Sequence, residues 1–121
     1  MIYPREKGDE AEEQALKHLL AQGMRVVERN FYSHRGEIDL VMLDADSLVF
    51  VEVRSRNNGS FGSAAESVTW KKQLRVVQAA KHFLQVRTQW ANYPCRFDVI
   101  AITGKQGEKV DWIKDAFQPI H

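Results

Sequence analysis

The sequence predicts an α/β layer fold in which helices flank a mixed central sheet containing an antiparallel meander of three strands. Apolar residues recur with helical spacing near the start of the chain and again in its middle. Three strand-like segments lie between these helices, and one or two more follow the second helix. Two of the segments, 38–43 and 48–53, are apolar on both faces, which is typical of strands covered by helices above and below. This order of elements predicts a layered α/β domain.

Length and composition predict one domain spanning residues 1–121. The 121 residues are 44% hydrophobic and 27% charged, an ordinary globular balance. The net charge of +1 indicates that any nucleic-acid-binding surface is a local basic patch. A single cysteine, Cys95, excludes an internal disulfide and favours a reducing cytoplasm. Without a membrane-length apolar run or a signal-peptide pattern, we expect a cytoplasmic protein with no membrane contact.

The first predicted helix runs from about Glu6 to Gln22, and Gly23 follows it as a C-cap. Glu12 lies in the middle of the apolar stripe of this helix. A glutamate on a buried face is uncommon unless it is paired or functional. We favour a functional Glu12, the alternative being a pairing with an arginine at the open end of the helix. The stripe consists of Ala11, Ala15, Leu16 and Leu19.

The next segment, Met24–Tyr32, is predicted to form the first strand, with Val26 and Val27 in the core. Residues 33–36 then form a turn that leads into a β-hairpin. Arg35 in this turn is a candidate phosphate contact, and a free surface arginine is the alternative.

The hairpin is predicted over residues 36–54, because two apolar runs flank the polar turn 44–47. A turn centred between Ala45 and Asp46 determines which residues lie opposite each other on each face. One face pairs Leu43 with Leu48, Val41 with Phe50 and Asp39 with Glu52, and it also carries Glu37 and Arg54. The other face pairs Ile38 with Val53, Leu40 with Val51 and Met42 with Val49.

Two carboxylates, Asp39 and Glu52, therefore face each other across the hairpin. At a separation of roughly 5 Å and an effective dielectric near 20, two full charges repel by about 3 kcal/mol. A divalent cation, a raised pKa or a nearby basic group would offset this repulsion. Mg²⁺ is commonly held by one or two carboxylates, waters and substrate phosphate, so the pair is a candidate metal site. The alternative is an ion-pair cluster with Arg54 and Glu37.

A loop rich in Gly, Ser and Asn follows over 55–63, and a long helix is predicted from about Ala64 to Val86. Gln73 falls within the apolar side of this helix and Lys72 at its margin. The predicted stripe consists of Trp70, Leu74, Val77, Ala80 and Leu84, with Val76 and Phe83 beside it.

Basic residues cluster around the two acids. Such a cluster suits a polyanion held over a metal ion, whereas a solvated helix surface is the alternative for Lys71 and Arg75. The cluster comprises Arg54, Arg56, Lys71, Lys72 and Arg75.

The last strands are predicted over Cys95–Ile102 and, at an edge, over Lys109–Ile113, with Ala116 and Phe117 packing the tail. Arg96 and Asp98 share a face, and we expect an ion pair between them that supports the sheet.

Five motifs in this order closely resemble the YraN family of small bacterial proteins, which are similar to Holliday-junction resolvases and restriction endonucleases of the PD-(D/E)xK fold. The motifs span nearly the whole chain. They are Gly8-x-x-Ala11-Glu12-x-x-Ala15, Gly36-Glu37-Ile38-Asp39-Leu40-Val41, Val49-Phe50-Val51-Glu52-Val53-Arg54, Lys72-Gln73 with Ala80 downstream, and Arg96-Phe97-Asp98-Val99.

The resemblance implies a restriction-endonuclease-like core and a role for each matched residue. Asp39 and Glu52 correspond to the acids that bind Mg²⁺ or Mn²⁺, and Glu12 corresponds to the acid supplied by the first helix. Arg54 stands where the nuclease pattern has its catalytic lysine. Arginine can supply charge to a phosphate, but it stays protonated and cannot act as a base.

The resemblance therefore implies a Mg²⁺-dependent endonuclease acting on structured or branched DNA. Two alternatives stay open: a nucleic-acid-binding module that has lost cleavage, and a protein-interaction domain with structural acids. The implied catalytic residues are Glu12, Asp39, Glu52 and Arg54, and the candidate nucleic-acid contacts are Arg35, Arg54, Arg56, Lys71, Lys72 and Gln73.

Overall fold

The computed structural model describes residues 6–56, 65–104 and 109–118. No helix in these ranges is long and apolar enough to cross a membrane. Two short 3₁₀ helices, Ala65–Ser67 and Thr88–Trp90, flank the second α-helix. The main elements are α1 (Glu6–Ala21), β1 (Arg25–Ser33), β2 (Gly36–Asp44), β3 (Ser47–Arg56), α2 (Trp70–Val86), β4 (Cys95–Thr103) and β5 (Lys109–Phe117).

The five strands form one mixed sheet in the order β1-β2-β3-β4-β5. The first three strands are an antiparallel meander, as the sequence predicts. The chain then crosses over through α2, so that β4 runs parallel to β3, and β5 returns antiparallel to β4. This arrangement confirms the predicted α/β class and is consistent with a restriction-endonuclease-like core.

Helices cover both faces of the sheet. The helix α1 buries its predicted stripe against residues of the three central strands, and α2 packs on the opposite face. Strand β3 is the middle strand, so both of its faces are apolar. The α1 side contains Leu40, Met42, Val49, Val51, Ile100 and Ile102. The α2 side contains Ile38, Val41, Leu48, Phe50, Phe97, Val99 and Ala101.

The register of the hairpin is the predicted one from Leu43–Leu48 to Leu40–Val51. Beyond the Leu40–Val51 pair, the pairing of β2 with β3 stops. The predicted placement of Ile38 is wrong. Ile38 lies on the α2 side with Val41 instead of on the α1 side with Leu40. The alternation of faces is lost because the backbone leaves the regular ladder at Asp39.

The edge strand β1 differs from the prediction at Val26, which is 45% exposed. A bulge lies between Val26 and Glu28, and Val27 packs partly against the α2-side core. The α1-side core contains no residue of β1, so Val26 has no helix to cover it. Further along β1, Asn30 adopts a left-handed conformation with φ of 53°.

The helix α2 begins at Trp70 and not near Ala64 as predicted. Thr69 has an extended backbone, and its hydroxyl accepts a hydrogen bond from the backbone N–H of Lys72, which makes it the N-cap. The buried residues are Val76, Val77, Ala79, Ala80 and Phe83, so the apolar stripe is rotated relative to the predicted one. Trp70 and Leu74, both predicted to be core residues, are 59% and 45% exposed.

The predicted ion pair between Arg96 and Asp98 is confirmed at 3.0 Å. Asp98 is fully buried, and it also accepts hydrogen bonds from the indole N–H of Trp112 and the backbone N–H of Asp115. The latter bond lies beside a bulge in the β4–β5 pairing, and Asp115 has a φ of 53°. These contacts extend β5 to Phe117, past the predicted end at Ile113.

Candidate active site

The site is built where the pairing of β2 and β3 ends. Leu40–Val51 is the last pair of the ladder, and Asp39 follows it at the start of the unpaired section. The Oδ2 of Asp39 accepts a hydrogen bond of 2.8 Å from the backbone N–H of Val53. The Asp39 carboxylate thus takes the place of the backbone carbonyl that would accept from Val53 if the β2–β3 ladder continued. This hydrogen bond holds Asp39 beside Glu52, the residue before Val53.

Glu52 is 4% exposed and lies next to both Asp39 and the helix α2. Its Oε1 is 3.5 Å from the Nζ of Lys72. The pKa of Glu52 is raised to about 8, first by burial and then by the adjacent Asp39 carboxylate, while the Lys72 ammonium opposes the rise. The closeness of the two acids and their burial favour a proton on Glu52 near neutral pH.

The start of α2 is brought over these acids by a close contact with β2. A Cβ atom placed on Gly36 would lie 2.8 Å from the backbone carbonyl oxygen of Arg75, which is closer than a side chain tolerates. Only glycine therefore allows the helix to approach the strand at this point. The contact directs Lys72, one turn before Arg75, towards Glu52.

Glu12 approaches from α1 and is 2% exposed. The amide of Asn30 donates to its Oε1 at 2.8 Å, and the guanidinium of Arg29 lies 3.3 Å from the same atom. Asn30 lies opposite Asp39 in the register of β1 and β2. Burial raises the pKa of Glu12, the Asn30 hydrogen bond lowers it, and the nearby charge of Asp39 raises it. Glu12 is thus close enough to Asp39 for their charges to interact, and Arg29 and Asn30 hold its carboxylate.

The donor set of the pair fits a hard divalent cation. Asp39 and Glu52 present adjacent carboxylate oxygens whose mutual repulsion is offset by a proton, and Mg²⁺ or Mn²⁺ would offset it in the same way. Within the described ranges, no three His, Cys, Asp or Glu side chains are grouped to bind one ion. A cation here would therefore take two protein carboxylates, with water and phosphate completing its coordination.

The predicted phosphate contacts lie on β3, at the start of α2 and in the turn between β1 and β2. Arg54 follows Glu52 by two residues on β3, and its buried Nε has no hydrogen-bond partner among the described residues. Lys71 is exposed in the first turn of α2. Arg56 ends β3, and Arg35 is exposed in the turn between β1 and β2.

Gln73 has a structural contact instead. Its side-chain amide donates to the backbone carbonyl of Val68 at 3.0 Å and fixes the chain just before α2. This hydrogen bond explains why a polar residue is tolerated at the margin of the helix's apolar side.

A cavity of about 470 Å³ lies at the opposite end of the sheet. It is bounded by Arg25, Glu28, Leu43, Arg87 and Trp90, among others. Leu43 adjoins the hairpin turn, several residues from Asp39, so this cavity is separate from the acidic pair.

Two supporting residues of the site were not predicted from the sequence. Asn30 carries no pattern that distinguishes it from other polar strand residues. Gly36 was assigned to a turn, and a glycine that opens a strand is in hindsight a signal of a close backbone approach. Both act by placing other side chains, Glu12 and Lys72 respectively.

Comparison with known proteins places the chain in a family. The model of "Uncharacterised protein family UPF0102" matches residues 11–102. A UPF0102 protein of Pseudomonas syringae pv. syringae is 55% identical over 112 residues, covering 91% of each chain. One from Pseudomonas putida is 50% identical over 117 residues, covering 95% of this chain and 94% of its own. One from Nitrosococcus oceani is 48% identical over 115 residues, covering 94% and 93%. These matches confirm the YraN resemblance, and the chain belongs to the UPF0102 family.

Proposed function

We propose that this protein is a Mg²⁺- or Mn²⁺-dependent endonuclease that acts on structured or branched DNA. The observation that carries the proposal is the buried contact between Asp39 and Glu52 beside the amine of Lys72. Two carboxylates buried together destabilise a fold unless they have a function or a counter-ion. A divalent cation and a phosphate would satisfy the acids and the bases of this site together.

Asp39 and Glu52 would hold the cation, which when bound supplies an activated water and neutralises charge on the phosphate. Arg54 is permanently protonated, so it serves to bind a phosphate oxygen, and its buried Nε has no hydrogen-bond partner in the part of the chain that the structure describes. Arg35, Arg56 and Lys71 extend the positive surface along which a DNA backbone would run. Glu12 contributes negative charge beside Asp39 and strengthens the attraction for the cation.

Lys72 is the residue best placed to do what the lysine of the nuclease pattern does. Its amine reaches Glu52 from the helix, whereas the pattern supplies a lysine from the strand position that Arg54 occupies here. The Lys72 side chain is 43% exposed, so its ammonium can also meet a water or a phosphate at the acids. Lys72 would then orient the attacking water and offset charge on the phosphate.

The first experiment is a titration with Mg²⁺ and Mn²⁺, followed by calorimetry and by thermal unfolding. Asp39→Asn is the matched variant, because an amide oxygen can still accept from the backbone N–H of Val53 while the charge is lost. We expect the wild type to bind the cation and the variant to bind it at least about tenfold more weakly. Equal binding, or none in either protein, would refute the metal site.

A second candidate function is a DNA-binding module that does not cleave. Arg54 favours it, because the strand position of the catalytic lysine holds a residue that cannot act as a base. Incubating Mg²⁺ and the protein with linear, flapped and four-way-branched DNA distinguishes the two. Cleavage that is lost in Asp39→Asn supports the enzyme, whereas salt-sensitive binding without cleavage supports the module.

A further inference from the structure

The indole of Trp70 is largely exposed to solvent, so it contributes little apolar burial to the stability of the fold. It is 59% exposed, and Leu74, one turn later on the same side of α2, is 45% exposed. The start of the helix is well held, since Thr69 caps it and Gln73 anchors the preceding carbonyl of Val68. Trp70 therefore lies at an anchored helix start, on the exposed side of α2.

The first two turns of α2, beginning at Trp70, are basic. Lys71 and Lys72 follow it in the first turn of α2, Arg75 comes one turn later, and the first turn contains no acidic residue. Cations near a helix N-terminus oppose the helix dipole and reduce stability. An exposed aromatic face among cations is the combination that binds nucleic-acid bases and phosphates together.

Trp70 also lies at the end of the sheet that carries the acids. Lys72, two residues later, contacts Glu52, and Arg75 contacts Gly36 at the start of β2. Lys72 and Trp70 project on opposite sides of the helix, because two residues correspond to about 200° of rotation. A nucleotide on Trp70 would therefore lie across the first turn of α2 from the phosphate at the acids, and a strand bound at both places would pass over the start of the helix.

We propose that Trp70 stacks on an unpaired nucleobase, so that the protein selects DNA with unpaired nucleotides a short distance along the strand from the phosphate held at the acids. This inference rests on the proposed function for the position of that phosphate. In an intact duplex both faces of each internal base are already stacked on neighbours, and Trp70 gains a partner only where a strand is free. Charge complementarity favours nucleic acid over an apolar protein partner on this face.

The test measures binding in EDTA, where cleavage cannot contribute. Fluorescein-labelled oligothymidylate, a blunt duplex of equal length and the same duplex with a single-stranded tail are titrated by anisotropy. We expect Trp70→Ala to weaken binding of the oligothymidylate and the tailed duplex by about 5- to 100-fold, as loss of a base–aromatic stack does. Trp70→Phe should retain most of the affinity, and the blunt duplex should bind all three proteins equally.

The matched control is Tyr93→Ala, which removes an aromatic residue that is 39% exposed at the hairpin-turn end of the sheet. It should leave all affinities unchanged. The proposal is overturned if Trp70→Ala weakens blunt-duplex binding equally, or weakens nothing. It is also overturned if Trp70→Ala only converts a dimer to a monomer in sedimentation, which would assign the face to a second copy of the chain.

The two proposals fail separately. Loss of metal binding or cleavage leaves the anisotropy result intact, because that measurement contains no cation. Equal affinities in wild type and Trp70→Ala would remove the stacking role while the titration of Asp39→Asn still tests the cation site. Unfolding curves for each variant show that a lost affinity does not come from a lost fold.

Discussion

Asp39 and Val53 are joined by a 2.8 Å hydrogen bond from the backbone N–H of Val53 to the carboxylate of Asp39, just past the last pair of the β2–β3 ladder. Asp98 accepts the equivalent hydrogen bond from the backbone N–H of Asp115, beside the bulge in the β4–β5 pairing. In both places a buried aspartate satisfies a backbone donor that the sheet leaves over. The two differ in their surroundings, since Asp98 is neutralised by Arg96 and Asp39 faces a second acid.

Replacing Asp39 should separate its structural role from its charge. Asp39→Ala leaves the N–H of Val53 without its acceptor, and we expect a loss of about 1–3 kcal/mol in the free energy of unfolding. Asp39→Asn keeps an acceptor and removes the repulsion with Glu52, so it should be at least as stable as wild type. Urea unfolding in EDTA measures both. Equal destabilisation by the two variants would show that the hydrogen bond is not the stabilising contact.

Glu52 should make the protein less stable as pH rises. Its pKa is about 8 in the folded protein and 4.5 in the unfolded chain, so the folded state binds the extra proton between these values. Stability contributed by this group is complete below about pH 4.5 and is lost as pH rises through about 8, by at most roughly 1.4 kcal/mol per pH unit. Glu52→Gln should flatten this dependence and raise stability at pH 9.

Chemical unfolding without metal from pH 5 to 9 measures the effect of Glu52. Glu10→Gln is the control, because Glu10 is exposed on α1, and its pH profile should match the wild type. A Glu52→Gln profile that runs parallel to the wild type over the whole range would contradict the assignment.

Affinity for Mg²⁺ should increase with pH through the same ionisation. The proton on Glu52 and the cation compete for the same oxygens, so binding is weak where the proton is retained and levels off above about pH 8. Isothermal titrations at pH 6, 7, 8 and 9 should show this rise together with release of protons. A pH-independent affinity would mean that the cation binds elsewhere.

Gly36→Ala should displace the start of α2. The new Cβ would be 2.8 Å from the carbonyl oxygen of Arg75, and the backbone must move, at a cost of about 1–3 kcal/mol. Gly23→Ala is the control, because φ of 91° makes alanine strained there while no atom lies within 4 Å of the added Cβ. Only Gly36→Ala should also weaken binding of Mg²⁺ and DNA. If Gly36→Ala and Gly23→Ala had equal effects on binding, the position of α2 would not determine the binding site.

Arg54→Lys restores an amine at the strand position next to Glu52. If cleavage is limited by the lack of a group that can accept a proton, we expect the rate on branched DNA to increase by about tenfold or more. Lys72→Ala should lower the rate, and Arg54→Lys should partly rescue it. A rate unaffected by any of these changes would exclude both residues from proton transfer.

The sequence predicted the hairpin register because two apolar runs and a polar turn leave few alternatives. The prediction failed where tertiary contacts override the regular alternation of buried and exposed residues along a strand or around a helix. Ile38 changed faces because the ladder stops at Asp39, and Val26 is exposed because β1 is an edge strand with a bulge. The buried stripe of α2 is rotated from the predicted one because packing on the sheet buries Val76 and Ala79 and leaves Trp70 and Leu74 exposed.

The acids of the site could be predicted because opposed carboxylates are unusual on a strand face. Their environment could not be predicted, since the pKa of Glu52 depends on burial and on Lys72 reaching it from another element. Trp70 was assigned to the core for a related reason. An apolar residue at helical spacing reads as core, and only the packing shows that its face meets no strand.

The bulges described in β1 and β5 have a consequence for how copies of this protein can meet. Each outer strand carries a bulge and a left-handed residue, Asn30 or Asp115, that breaks the straight row of donors and acceptors a neighbouring chain would need. Growth of the sheet from one molecule into the next, the route to amyloid-like fibres, is therefore blocked at both borders by backbone shape.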